Sequence, residues 1–186
     1  MKKIVHEAVD ALKRGEVILY PTDTIWGIGC DATNPDAIEK IYQIKARDLN
    51  KPLLVILDDD RKLNRYIKKV PEVAWDLLDH ADKPITIIYP EAYNMAKNLP
   101  ADDGSIGIRI VNHDFCKALL RKFNKPIVST SANFSGEPSP RSFNEISQKL
   151  KETVDYVVHS RIKTGTNKAS SIIKLGVGGQ VQIIRK

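Results

Sequence analysis

Apolar side chains recur at Ile4, Val5, Ala8, Val9, Ala11 and Leu12, at steps of one, three and four residues. That spacing puts them on one face of a helix over residues 3–14, and Gly15 supplies a stop. The rhythm then changes. Glu16–Tyr20 (EVILY) is a short apolar run of strand length, and it leads into PTDTIWGIGCDATNPD at 21–36. Pro, Thr, Gly and Asp dominate that stretch, which reads as a loop. Asn34-Pro35 offers a helix cap followed by proline at the first helical position. Ile38, Ile41, Tyr42 and Lys45 continue this second helix on one face, with an end expected near Arg47–Asn50.

Leu53–Leu57 (LLVIL) is apolar without interruption, the pattern of a strand buried on both faces. Asp58–Asp60 marks a turn. Helices are predicted over 61–69 and 72–80, divided by Pro71, and strands over Ile85–Tyr89 and Ser105–Val111. An amphipathic helix at 113–123 precedes a strand, Pro126–Ser129, that runs into the hydroxyl-rich loop STSANFSGEPSP. Residues 142–151 read as helix, and strands near 154–158, 170–175 and 180–184 finish the chain. Helices and strands intermix throughout, with no heptad, repeat or dividing linker. The pattern predicts one α/β domain over residues 1–186, a twisted mixed sheet with flanking helices.

Composition narrows the class of protein. With 186 residues, 42% hydrophobic and 28% charged, the chain can bury a sizeable core and resembles soluble globular proteins. No apolar run approaches the roughly 20 residues that span a bilayer. Glu7, Asp10 and Lys13 interrupt any leader-like apolar stretch, so the expected location is the cytoplasm, with no membrane partner. Cys30 and Cys116 are too few and too far apart for a metal motif and are expected to be reduced, buried thiols. The formal charge of +6 is compatible with an anionic partner, a nucleotide or RNA, and equally with a solvated basic surface.

Three segments could carry chemistry. Lys45-Ala46-Arg47 ends a helix just before a buried strand; Arg offers a planar fork and Lys a mobile charge to one anion, although cations at helix ends also simply answer the dipole. Ser129–Gly136 follows a strand, where open α/β sheets bind ligands. Its hydroxyls and amide suit phosphate oxygens, or a turn held by its own side chains. Pro21–Gly29 also follows a strand, with threonine hydroxyls and two glycines that allow close backbone approach. No zinc cluster, HExxH, P-loop or nucleophile elbow is present in the sequence.

At these segments the chain resembles the YrdC/TsaC family of threonylcarbamoyl-AMP synthases. Its opening signature stands as PTDTIWGIG (Pro21–Gly29), its KxR as Lys45-Ala46-Arg47, and its SxN as Ser131-Ala132-Asn133. Pro84-Ile85-Thr86, Gly107-Ile108-Arg109 and Ala169-Ser170-Ser171-Ile172 match further elements in order. The resemblance implies an α/β sheet around a large basic cavity. It also implies a nucleotidyltransferase that joins L-threonine, bicarbonate and ATP into threonylcarbamoyl-AMP and pyrophosphate. A downstream threonylcarbamoyl transferase complex would use the product to modify adenosine 37 of ANN-decoding tRNAs, and direct tRNA contact is a further expectation.

By the same resemblance Lys45 and Arg47 are the catalytic residues and bind ATP, together with Ser131, Asn133, Ser139 and Arg141. Thr22, Thr86, Arg109 and Ser171 are expected to hold threonine, with Arg109 on its carboxylate. Mg2+ is expected only on the nucleotide phosphates, with no protein metal site. The chain departs from the family pattern at Trp26 (usually Tyr), Ser171 (usually Thr), Ile56 (His in some relatives), Val111-Asn112 (where Pro usually follows the Arg strand) and Lys174 (usually an acid). It also reads as the short form, without the C-terminal domain of longer members. Two other readings compete: a double-stranded RNA or tRNA binding module without catalysis, and a carbamoyl-adenylating domain.

Overall fold

The structure is a computed structural model that describes every residue except Asn50 and Ser160. Helix α1 spans Lys2–Lys13, and Gly15, at φ 73°, ends it as the pattern predicts. Strands β1 (Ile18–Pro21) and β2 (Trp26–Gly29) form an antiparallel pair. The stretch read as a loop at 21–36 thus holds a strand. Gly27 and Gly29 hide it from a propensity reading, and they are there because β2 is packed too closely for side chains. A Cβ on Gly29 would lie 2.0 Å from the Val128 carbonyl oxygen and 2.9 Å from Tyr20. Gly29→Ala is therefore expected to cost about 3 kcal/mol in a urea titration. Gly107→Ala, whose Cβ would meet nothing nearer than 3.4 Å, is expected to be near neutral.

Helix α2 runs Pro35–Lys45, capped as expected by Asn34, whose side chain accepts from the Asp36 and Ala37 amides. It stops at Lys45 because Ala46 turns left-handed (φ 47°, ψ 46°); Asn50, the outer limit expected for its end, lies outside the described residues. Then follow β3 (Leu54–Leu57), α3 (Glu72–Asp79), β4 (Ile85–Tyr89), β5 (Ile106–Ile110), α4 (Asp114–Phe123), β6 (Ile127–Ser131), α5 (Gln148–Thr153), β7 (Tyr156–Val157), β8 (Ser171–Leu175) and β9 (Val181–Arg185). The helix expected at 61–69 is a short 3-10 turn, Asp60–Arg65, started by the Asp59 side chain on the Arg61 amide. It ends because Ile67 leaves to bridge Ala92. The helix expected over 142–151 is split at Ile146, which turns extended. A 3-10 turn, Phe143–Glu145, precedes the break and α5 follows it.

Among the described residues the strands form one mixed sheet in the order β7-β1-β2-β6-β3-β5-β4-β8-β9. Period-two alternation sends side chains to two cores. On one face Leu19, Ile28, Val55, Leu57, Ile87, Ile108 and Val128 pack with Ala37, Ile38 and Ile41 of α2. On the other, Ile18, Tyr20, Ile56 and Ile127 meet Val9 and Leu12 of α1 and Phe115, Leu119 and Phe123 of α4. Cys30 and Cys116 are buried free thiols, and burial pushes both far up. No helix among the described residues is long and apolar enough to cross a membrane.

Candidate functional site

The second face is only half covered. α1 and α4 lie over the part that carries Ile18, Tyr20, Ile56 and Ile127. Further along, the same face carries Gly27, Leu54, Thr86, Ile88, Gly107, Arg109, Ser129, Ser131, Ile172 and Lys174, and these line a cavity of about 650 Å3. Cross-strand register puts them together: Gly27 opposes Ser131, Leu54 opposes both Ser129 and Gly107, and Ile88 opposes both Gly107 and Lys174. Small residues on the central strands leave the hollow, and the loop 98–103 with Ser105 forms part of its wall.

Thr22, Thr86 and Arg109 meet here although 22 and 109 lie far apart in the chain. Arg109 is 4% exposed and its Nη2 is 3.3 Å from Asp23 Oδ1, itself 5% exposed. The same nitrogen donates to Thr22 Oγ1 at 3.5 Å, while Nε has no partner among the described residues. A buried guanidinium so loosely paired is poised to take a carboxylate or phosphate, because its unfilled donors cost free energy until something accepts from them. Thr22 shares a 2.9 Å hydrogen bond with Thr24. Thr86 Oγ1 lies 2.8 Å from Ser170 Oγ. Ser170 lines the cavity and its neighbour Ser171 does not, since successive strand residues point to opposite faces.

Lys45 and Arg47 do not converge on one point. The left-handed turn at Ala46 separates them. Lys45, 1% exposed, donates to the backbone carbonyls of Ser131 (2.5 Å) and Asn133 (2.6 Å) and does not line the cavity. Burial first, then the Arg47 charge, pulls its ammonium down to about 8, and Glu137 opposes the shift. Arg47 does line the cavity, braced by the carbonyls of Lys51 (3.0 Å) and Pro52 (3.2 Å). Ser131 and Ser139 line it as well. Asn133 does not: its Nδ2 donates to the carbonyls of Phe134 and Glu137, and its Oδ1 is buried with no partner among the described residues. Arg141 is exposed, away from the cavity, with its amide on Glu145.

Sequence reasoning missed several lining residues. Arg185 lines the cavity from the last strand and donates twice to the Ser170 carbonyl, at 3.0 and 2.7 Å. Its pKa is lowered by burial and by Arg109 nearby. Asp23 carried no sign in the sequence that it would back Arg109. Lys174 stood out only as a departure from a pattern. Among the described residues no cluster of three or more His, Cys, Asp or Glu could hold a metal ion.

A half-covered α/β sheet with arginines, serines and threonines around a deep hollow defines a protein that binds small anionic ligands. The chain belongs to the Sua5/YciO/YrdC family, whose model, described as telomere recombination, matches residues 10–186. Among curated relatives, the threonylcarbamoyl-AMP synthase of Pseudoalteromonas translucida is 37% identical over 94% of each chain. The enzyme of the same name from Vibrio campbellii is 31% identical, covering 91% of this chain and 93% of its own. The fold is that of E. coli YciO (TM-score 0.86, 24% identity, 100% of this chain and 90% of that one). It is also that of P. abyssi Sua5 in complex with L-threonine (TM-score 0.84, 24% identity), of which this chain covers 92% of its own length and half of the other's.

Proposed function

We propose that the protein is an enzyme, an L-threonylcarbamoyladenylate synthase: it forms threonylcarbamoyl-AMP and pyrophosphate from L-threonine, bicarbonate and MgATP. The carrying observation is that one cavity gathers Thr22, Arg47, Thr86, Arg109, Ser131 and Ser139 from five separated motifs. Relatives that share 31–37% of its residues over nearly their whole length bear that activity as their name. The threonine amine attacks the carbon of bicarbonate, an N–C bond forms and water leaves. A carbamate oxygen then attacks the α-phosphorus of ATP, and the bond to the bridging oxygen breaks to release pyrophosphate.

Arg109, unsatisfied at Nε, takes the threonine carboxylate, with Thr22 and Thr86 beside it. Arg47, Ser131 and Ser139 take the nucleotide phosphates, and Arg47 answers the charge that builds at phosphorus. Lys45 and Asn133 act through the shape of the loop that carries Ser131. Mg2+ arrives with ATP as part of the substrate. Amine and bicarbonate react by being held together. The product serves a downstream transferase acting on tRNA, and the reaction belongs in the cytoplasm. RNA binding without catalysis is not favoured, because the relatives are named for the synthase reaction.

The test is pyrophosphate release from MgATP with threonine and bicarbonate omitted in turn. Release that needs both, with the mass of threonylcarbamoyl-AMP in the product, is the expected result. Folded protein that releases none while binding RNA in a salt-sensitive manner would overturn it.

A further inference from the structure

On one wall of the cavity, Lys174 of β8 faces Asp103 of the 98–105 loop, Nζ to Oδ2 2.6 Å. Both residues line the cavity. Asp103 is itself anchored: its Oδ1 accepts from Ser105 Oγ at 2.5 Å and from the Ser105 amide at 3.0 Å. Lys174 first, then Ser105, holds its carboxyl down to about 2, so it is ionised at every working pH. Lys174 lies two residues along β8 from Ile172, whose partner on β9 is Arg185, so the backbones of these two basic residues are roughly 7 Å apart along the strand direction.

The pair contributes little to stability. The side chains are 37% and 52% exposed, and solvent screens an ion pair that open. A ligand with several negative charges would displace one carboxylate from Lys174 at small cost. We propose that Lys174 is a nucleotide-affinity determinant, a cation that Asp103 occupies in the empty cavity and that the polyphosphate of ATP takes over on binding. The inference rests on the proposed use of the cavity for ATP. It makes Asp103 a competitor for the ligand's place, so that the two halves of one ion pair have opposite effects on ATP.

The experiment is steady-state kinetics and nucleotide-binding calorimetry on the wild type, Lys174→Gln, Asp103→Asn and the double variant, at two salt concentrations. Lys174→Gln is expected to raise KM for MgATP about tenfold, the effect of losing one charge-assisted hydrogen bond. KM for threonine and kcat should change less than twofold. Asp103→Asn is expected to lower KM for MgATP about threefold, with a weaker salt dependence for Lys174→Gln than for the wild type. A pair that merely braces the loop would give changes of the same sign in both single variants, and the exchanged pair Lys174→Asp/Asp103→Lys would restore them. That result, or unchanged ATP binding in Lys174→Gln, overturns the proposal. A wild type that forms no adenylate from any substrate set, yet binds ATP with these opposite signs, would instead overturn the assigned reaction and leave the role of Lys174 standing.

Discussion

Lys45→Met is expected to raise KM for MgATP about 30-fold, roughly 2 kcal/mol, while KM for threonine stays within twofold. Methionine keeps the length and the apolar stem and removes the ammonium. Two carbonyls, those of Ser131 and Asn133, then lose the donor that now sits 2.5 and 2.6 Å from them. The Lys45 carbonyl still accepts from the Ser135 amide at 2.9 Å. Of the three bonds between Lys45 and the loop one therefore remains, beside the Ala132 amide on the Trp26 carbonyl at 3.0 Å, and Ser131 at the loop's start is a cavity residue. The Ser131 carbonyl keeps the Asn133 amide at 3.0 Å, whereas the half-buried Asn133 carbonyl loses its ammonium donor, so the melting temperature falls as well. Wild-type kinetics in folded Lys45→Met would show that the loop keeps its shape without the clamp.

The same residue predicts a pH dependence with two opposite signs. Its ammonium, brought down to about 8 by burial and by Arg47, is charged below that pH and neutral above it. Affinity for the anionic nucleotide is expected to fall as pH rises through about 8, and the inflection should vanish in Lys45→Met. Global stability moves the other way. The folded value lies below the ordinary 10.5, so between about 8 and 10.5 the unfolded chain holds more protons than the native one. The cost of burying the charge is fully present below about 8 and declines as pH rises through that window. An ATP profile with the same inflection in Lys45→Met would place the titrating group elsewhere.

The other large effect belongs to Arg109. Arg109→Ala is expected to reduce kcat/KM for threonine more than about 100-fold and to destabilise the fold by about 3–5 kcal/mol, because it strands the buried carboxylate of Asp23. The two losses can be separated. In Asp23→Asn/Arg109→Gln neither side chain carries a charge, so most of the stability should return in a urea titration while turnover does not. Return of threonine turnover with it would mean that Arg109 serves only the fold.

Much of the fold was legible along the chain. α1 and α4 were set by apolar spacing, and Asn34-Pro35 and Gly15 marked helix ends through local hydrogen bonding and a positive φ. Strand β2 was not legible. Its glycines look like loop residues in isolation and are required only because β6 passes within van der Waals distance. The apolar spacing around Asp60–Arg65 fits an α-helix and a 3-10 turn alike, and the bridge from Ile67 to Ala92 decides for the turn.

The site divides in the same way. Which residues carry hydroxyls, amides and charges, and at what spacing, is a property of the sequence, and it sufficed to point to the KxR, SxN and PTDT segments. Which of them face the ligand is not. Lys45 and Arg47 are two residues apart, yet a left-handed Ala46 sends one to a loop 86 residues away and the other to the cavity. Ser170 rather than Ser171 meets Thr86, and this depends on the register of β8 on β4. Asp23, Lys174 and Arg185 join the site only because the sheet order brings their strands and loops round it. Local patterns follow from chain-neighbour sterics and hydrogen bonds, so the sequence determines them by itself. The direction of a side chain at a strand end or helix stop follows from partners far along the chain, so only the tertiary structure decides it.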